Sequence, residues 1–167
     1  NTIVLVPHHH VNFERAKRTR KKIQVCGYIG TFREHHIKIN NDLARRLKEI
    51  DMEMIQLYDF KKRQDTLDFY SRIDIQIIGH IRHVANVPQY HATKIINAMS
   101  YGIPTVAGVK LGYRDVDGYY LKGRTLGELV KQVAKLKDQS YYNDWVTRIL
   151  PIAERYHIEN IANLYTS

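Results

Sequence analysis

The residues best placed to do chemistry run from Thr93 to Val106: Thr93-Lys94-Ile95-Ile96-Asn97-Ala98-Met99-Ser100-Tyr101-Gly102-Ile103-Pro104-Thr105-Val106. A hydroxyl, an ammonium and an amide converge there within one helical turn. Thr93 stands near the start of a helix, where free backbone N–H groups and the helix dipole attract an anion, and Lys94 adds a full positive charge. Thr93 and Asn97 share a face opposite Ala92, Ile95 and Met99, so the apolar stripe can hold the helix to a sheet while the polar pair projects into a cleft. That chemistry suits a diphosphate joined to a vicinal diol. The same residues also read as a helix capped by Thr93, with Lys94 and Asn97 merely exposed.

A second group follows an earlier apolar run. Gly27-Tyr28-Ile29-Gly30-Thr31 ends the run that starts at Ile23, and glycines there let a backbone approach a phosphate or sugar closely. The full Gly-x-Gly-x-x-Gly spacing is absent, so a plain turn remains an alternative. Arg33 and Lys38 come next and read either as anion ligands or as solvated helix cations. His80, Arg82 and His83 follow a third apolar run and read as ligands to base or phosphate, or as ordinary loop residues.

The elements that must position these groups alternate. Apolar runs at Ile23–Gly30, Met54–Tyr58, Ile73–Gly79, Ile103–Ala107 and Tyr119–Leu121 read as strands, after a short one at Ile3–Val6. Helical spacing predicts helices over 36–50, up to Arg72, around Ala92–Met99 and along Leu126, Leu129, Val130, Val133 and Leu136. A last helix carries Trp145, Ile149, Ile152 and Tyr156, with Pro151 expected to kink or restart it. Strand and helix in alternation mean parallel strands with right-handed crossovers: a Rossmann-like α/β open sheet with helices on both faces. In such sheets ligands bind beyond the carboxyl ends of the strands, where all the groups above fall. The domain boundaries expected are a strand and basic linker over 1–22 and a ligand-binding domain over 23–167.

Composition sets the outer limits. With 44% hydrophobic and 26% charged residues in 167, the chain has enough apolar material for one folded domain, which excludes disorder. The lone Cys26 cannot form an internal disulfide and sits in an apolar run, so a core thiol and a cytoplasmic setting are expected. No apolar run approaches the ~20 residues needed to cross a bilayer. The chain opens on Asn1 with no cationic leader and reads as a piece of a longer protein. The net charge of +9 gathers most densely over Arg15–Lys22, which points to nucleic acid, an anionic membrane surface or a phosphorylated small molecule, or reads simply as a solvated linker. No nucleic-acid module signature accompanies it, so no specific nucleic acid is expected.

The Thr93–Val106 run resembles the donor-site helix and following strand of GT-B glycosyltransferases, in which a helix rich in small residues leads into Gly-x-Pro and a buried strand. Val6-Pro7-His8 is similar to the interdomain linker of that family, and Val25–Gly30 to the first strand and glycine loop of its donor domain, so the resemblance spans nearly the whole chain. It implies one half of a GT-B fold, the C-terminal half that binds a nucleotide-sugar donor, with an N-terminal acceptor domain as partner and sugar transfer to an acceptor hydroxyl as the activity. It implies Lys94 and Arg33 as the catalytic charges on the leaving diphosphate, and Gly27, Gly30, Thr31, His80, Arg82, Gln89, Thr93, Lys94 and Asn97 as donor-binding residues. No cofactor is implied, and metal-independent chemistry is expected because cations of the chain stabilise the leaving group. Many retaining members carry two glutamates eight positions apart; this chain has Gln89 and Asn97 in those places, amides that still hydrogen-bond ribose hydroxyls. Arg114 is a further candidate for a donor contact.

Two rival readings stay open: a basic module for nucleic acid or anionic surfaces, and a Rossmann-like scaffold that is catalytically silent. A metal site is not expected. His8, His9 and His10 alternate sides in an extended chain, so only His8 and His10 can share one, and further ligands at a defined spacing are missing.

Overall fold

The computed structural model describes residues 6–79 and 91–165. Five strands, β1 (Val25–Ile29), β2 (Glu53–Leu57), β3 (Ile75–Ile78), β4 (Thr105–Ala107) and β5 (Leu121–Lys122), form one sheet in the order β2-β1-β3-β4-β5. Every pairing is parallel, with Ile29 opposite Leu57 and Ile78 opposite Ala107. The strand order reverses direction at β1, whose neighbours are β2 and β3, so the crevice beyond these strand ends is the expected ligand edge.

Helices cover both faces. Leu43 and Leu47 of α1 (Glu34–Lys48) and Leu129, Val133 and Leu136 of α4 (Leu126–Leu136) share a cluster with Cys26, Ile75, Ile77 and Val106. On the other face Phe69 and Tyr70 of α2 (Arg63–Arg72) and Ala98 and Tyr101, in or just after α3 (Thr93–Ser100), pack with Ile29, Ile73 and Ile103. A third cluster joins α3 to α5 (Gln139–Glu154), through Ile95, Ile96 and Met99 against Ile149, Ile152 and Ala153. The central strand β3 is buried along its length, as a strand covered on both faces must be. The one polar residue in it, Gln76, is fully satisfied: its amide donates to the Lys94 carbonyl at 2.8 Å and its oxygen accepts from Tyr70 at 2.8 Å. The Cys26 thiol is buried, which pushes its pKa up and leaves it an inert core group.

The restart expected at Pro151 is corrected: α5 runs on through Pro151 to Glu154 without a break, and Ile152 and Ala153 beyond the proline are buried against α3. The restart comes later, as α6 (Ile158–Asn163), which His157 caps by accepting from the Glu159 N–H. The strand expected at Ile3–Val6 lies, but for Val6, outside the described residues.

Residues 8–22 carry no regular structure yet are strapped to the domain. The His10 N–H donates to the Tyr156 carbonyl at 2.9 Å, and the Asn12 amide donates to the Ser100 carbonyl at 2.9 Å. Arg63 donates to the Val11 carbonyl and lies 4.3 Å above the Phe13 ring. Among the described residues no helix is long and apolar enough to cross a membrane.

Candidate functional site

Lys94 stands at the start of α3, on the edge where such sheets are expected to take a ligand. It is the second residue of α3, held there because its carbonyl accepts from Gln76 and, at 3.3 Å, from Tyr70. Its ammonium lies 5.0 Å from the Tyr28 ring centre and 2.8 Å from where a side chain on Gly30 would begin. Gly30 therefore makes the room that Lys94 occupies, and its own N–H is tied to the Leu57 carbonyl at 3.0 Å. Burial lowers the Lys94 pKa to about 8, and no carboxylate among the described residues offsets that desolvation. An ammonium stripped of water and left without a counter-charge gains by meeting an anion.

The loop after β1 adds to this charge. Thr31, Phe32 and Arg33 are exposed, and Arg33 is the N-cap of α1, which no side chain caps. His36, in the first turn of α1, was not singled out from sequence, since the adjacent pair His35-His36 carries no ligand spacing. Its Nδ1 lies 3.2 Å from the Thr31 carbonyl and 3.3 Å from the Tyr28 hydroxyl. Burial lowers the His36 pKa; the Thr31 contact opposes this, while the charges of His35, Lys94 and Arg33 push the same way. The charges of Lys94 and Arg33 are thus felt at His36.

Other expectations fare differently. Gly27 lies inside β1, and a side chain there would meet Ile73 and, at 2.7 Å, Phe69; its glycine is a packing requirement of α2, not an opening to ligand. Thr93 is half-buried at the first turn of α3, whose N-cap is Ala92 with no side-chain bond, so Thr93 does not cap the helix. Asn97 was expected open to the cleft, and that is corrected: it is 8% exposed, its Oδ1 accepts the Val11 N–H at 3.1 Å, and it also bonds Tyr70. The strapped connector has covered that face of α3. Lys38 and Arg114 are exposed. His80, Arg82, His83 and Gln89 lie outside the described residues.

His8 and His10 do not share a side. His8 is exposed with its ring 5.8 Å from that of His91, whereas His10 is buried with its ring 5.4 Å from that of His157. Among the described residues no three His, Cys, Asp or Glu groups are placed to hold a metal.

The basic run is not a uniformly solvated face. Arg15 bonds Glu154 at 2.8 Å and Glu159 at 2.7 Å, and Arg18 and Arg20 both reach the buried Asp74, with the Arg20 side chain 3% exposed. Only Lys17, Lys21 and Lys22 of this run stay exposed beside them without an ion pair among the described residues. The guanidinium forks serve the fold, which halves the charge available to a polyanion.

No protein-family model matches the chain, and no curated protein matches it by sequence. Among solved structures, Anabaena HepE in complex with UDP and glucose matches with a TM-score of 0.60 at 12% identity, over 96% of this chain and 55% of that one. AviGT4, a glycosyltransferase involved in avilamycin A biosynthesis, matches with a TM-score of 0.42 at 14% identity, over 98% of this chain and 58% of that one. The likeness is one of fold: the five-stranded parallel sheet with its helices is Rossmann-like and matches half of a GT-B glycosyltransferase structure. The chain spans about half the length of the structures it matches.

Proposed function

We propose that residues 23–167 bind the diphosphate of a nucleotide-sugar donor for a glycosyltransferase, with residues 1–22 joining them to an acceptor-binding half. The observation that carries this reading is the Lys94 ammonium, desolvated and without a carboxylate partner among the described residues, beside Gly30 at the ligand edge. The UDP and glucose held by HepE, a protein of the same half-fold, make a nucleoside diphosphate the first ligand to test.

In the reaction the bond between the sugar's anomeric carbon and the diphosphate oxygen breaks, and the electron pair leaves with the diphosphate. The acceptor hydroxyl oxygen forms the new bond and gives up its proton, which is released to solvent. What this chain supplies is charge already in place where negative charge grows: Lys94, the backbone N–H groups opening α3, and Arg33 at the rim. Because the start of α3 is tied down through the Lys94 carbonyl, its N–H groups need little reorganisation as the leaving group develops.

The test is calorimetry of the chain with UDP and other nucleoside diphosphates. Binding that Lys94→Ala weakens by about 1.5–3 kcal/mol, a charge-assisted contact, supports the reading. Equal affinity in both proteins contradicts it.

A further inference from the structure

Residues 17–21 run along the edge of the sheet opposite Lys94, just ahead of β1, and Tyr101 lies at the same edge, between α3 and the start of β4. The Arg18 N–H donates to the Tyr101 carbonyl at 3.1 Å and its guanidinium donates to the Ile73 carbonyl at 3.1 Å, which pins the connector there. A groove of about 600 Å³ remains between this stretch and α5. Four cations, Lys17, Arg18, Arg20 and Lys21, border it, and among the described residues no carboxylate does. From α5 come the apolar Val146 and Leu150 and the amide of Asn143.

Charge is out of balance beneath this groove as well as on it. Asp74 is one carboxylate shared by two guanidiniums, Arg20 through its Nε and Arg18 at 3.6 Å, so one positive charge has no counterpart among the described residues. The Arg20 side chain is 3% exposed, and its Nη1 and Nη2 and the Tyr101 hydroxyl are buried without a hydrogen-bond partner among the described residues. Buried donors without an acceptor are costly, and both residues border the groove. Lys17 and Lys21 stand exposed above them. A smaller groove on the α2 side, about 360 Å³, shares Lys17, Arg18 and Tyr101, but Glu14 and Asp68 border it too, so an anion is favoured on the α5 side alone. The start of α5 is already capped, since Asp138 accepts the Tyr141 N–H, and the attraction comes from side chains.

We propose that the groove between residues 17–21 and α5 binds a small organic phosphate. Lys17, Lys21 and the Tyr101 hydroxyl hold the phosphate, Arg20 adds charge from behind, and the organic body lies against Val146 and Leu150. A phosphate suits these separate donors better than a carboxylate, because it brings nearly two charges and three acceptor oxygens. The volume is that of a small-molecule site. This site is at the opposite edge from Lys94 and does not rest on the diphosphate reading.

The experiment is an amide NMR titration of the chain with phenyl phosphate, inorganic phosphate and benzoate, which reads affinity and place together. Phenyl phosphate is expected to shift the signals of residues 17–21, Tyr101 and Asn143 to saturation, inorganic phosphate to shift the same signals with weaker affinity, and benzoate to leave them in place. Replacing both exposed lysines, Lys17→Ala with Lys21→Ala, should weaken phenyl phosphate about tenfold or more. Tyr101→Phe, which keeps the ring stacked 5.2 Å from that of Tyr70, should weaken it about fivefold. Signals of the groove that do not move, or shifts confined to the surroundings of Gly30 and Lys94, overturn the proposal. A double lysine variant that binds as the parent does overturns it as well, and benzoate binding as tightly as phenyl phosphate overturns the choice of a phosphate.

Discussion

The amide oxygen of Asn97 accepts the backbone N–H of Val11 at 3.1 Å, so a residue of α3 is committed to holding the connector. Asn97 is only 8% exposed, and Asn97→Ala leaves the N–H of the half-buried Val11 without its partner. The loss should be about 1–3 kcal/mol of stability, read as a lower midpoint in urea denaturation, with UDP affinity changed less than twofold. A loss confined to nucleotide affinity would return Asn97 to the ligand.

Gly27 and Gly30 should separate packing from binding. Gly27→Ala drives a methyl group against Ile73 and Phe69, and is expected to cost about 1–3 kcal/mol of stability while the folded fraction still binds UDP. Gly30→Ala displaces the free end of Lys94 and the Tyr28 hydroxyl, so the fold should persist with about 1–2 kcal/mol less diphosphate affinity. Thermal melts and calorimetry on the two variants check both halves.

Asp74 anchors the start of the sheet. Its Oδ2 accepts the N–H groups of Gln24 and Val25, each at 2.8 Å, while Oδ1 pairs with Arg20. Removing the carboxylate strands a buried guanidinium and the Gln24 and Val25 N–H groups, so Asp74→Ala should destabilise by about 3–5 kcal/mol, and Arg20→Met by less, because the carboxylate left behind keeps those N–H groups and Arg18 as partners. Equilibrium denaturation of the two variants compares them, and equal losses would contradict the assigned pairing.

His10 makes stability depend on acid. Burial lowers its pKa to about 4, with the neighbouring His157 acting the same way and Glu154 opposing. Because the unfolded chain then takes up a proton first, the stabilising contribution is full above the ordinary histidine pKa near 6.5 and is lost as pH falls from there toward 4. Denaturation midpoints between pH 7 and pH 4.5 should fall more steeply for the parent than for His10→Gln. Parallel curves would contradict this.

Much of the fold was legible because it rests on local periodicity. Leu43 and Leu47, or Leu129, Val133 and Leu136, mark one helical face wherever they occur, and each of these stripes is buried. Strand starts were harder. β3 begins at Ile75 and not Ile73, because Asp74 turns its carboxylate to Arg20 and the Gln24 and Val25 amides, partners about fifty residues away. The proximity of candidate residues was legible where it needs only local chemistry: Lys94 at a helix start and Gly30 after a strand do meet, the ammonium 2.8 Å from where a side chain on Gly30 would begin. It was illegible where occupancy is set from afar: nothing near Asn97 announces Val11, which is 86 residues distant in sequence. Gly27 and Gly30 look alike in the sequence, and only the packing of Phe69 and Ile73 tells them apart.

Lys94 allows the most direct test of the donor reading, because its charge is lost at an accessible pH. With its pKa near 8, the ammonium is protonated at pH 7 and neutral by pH 9.5, while bound diphosphate raises that pKa by stabilising the charged form. UDP affinity should therefore be constant from pH 7 to about 7.5 and then fall, and proton uptake on binding should appear near pH 8.5 as a buffer-dependent calorimetric heat. The Lys94→Ala variant should bind more weakly at pH 7 and show neither the fall nor the uptake. UDP binding by the parent that is flat across pH 7 to 9.5 and matches Lys94→Ala throughout would contradict the assignment of the diphosphate to Lys94.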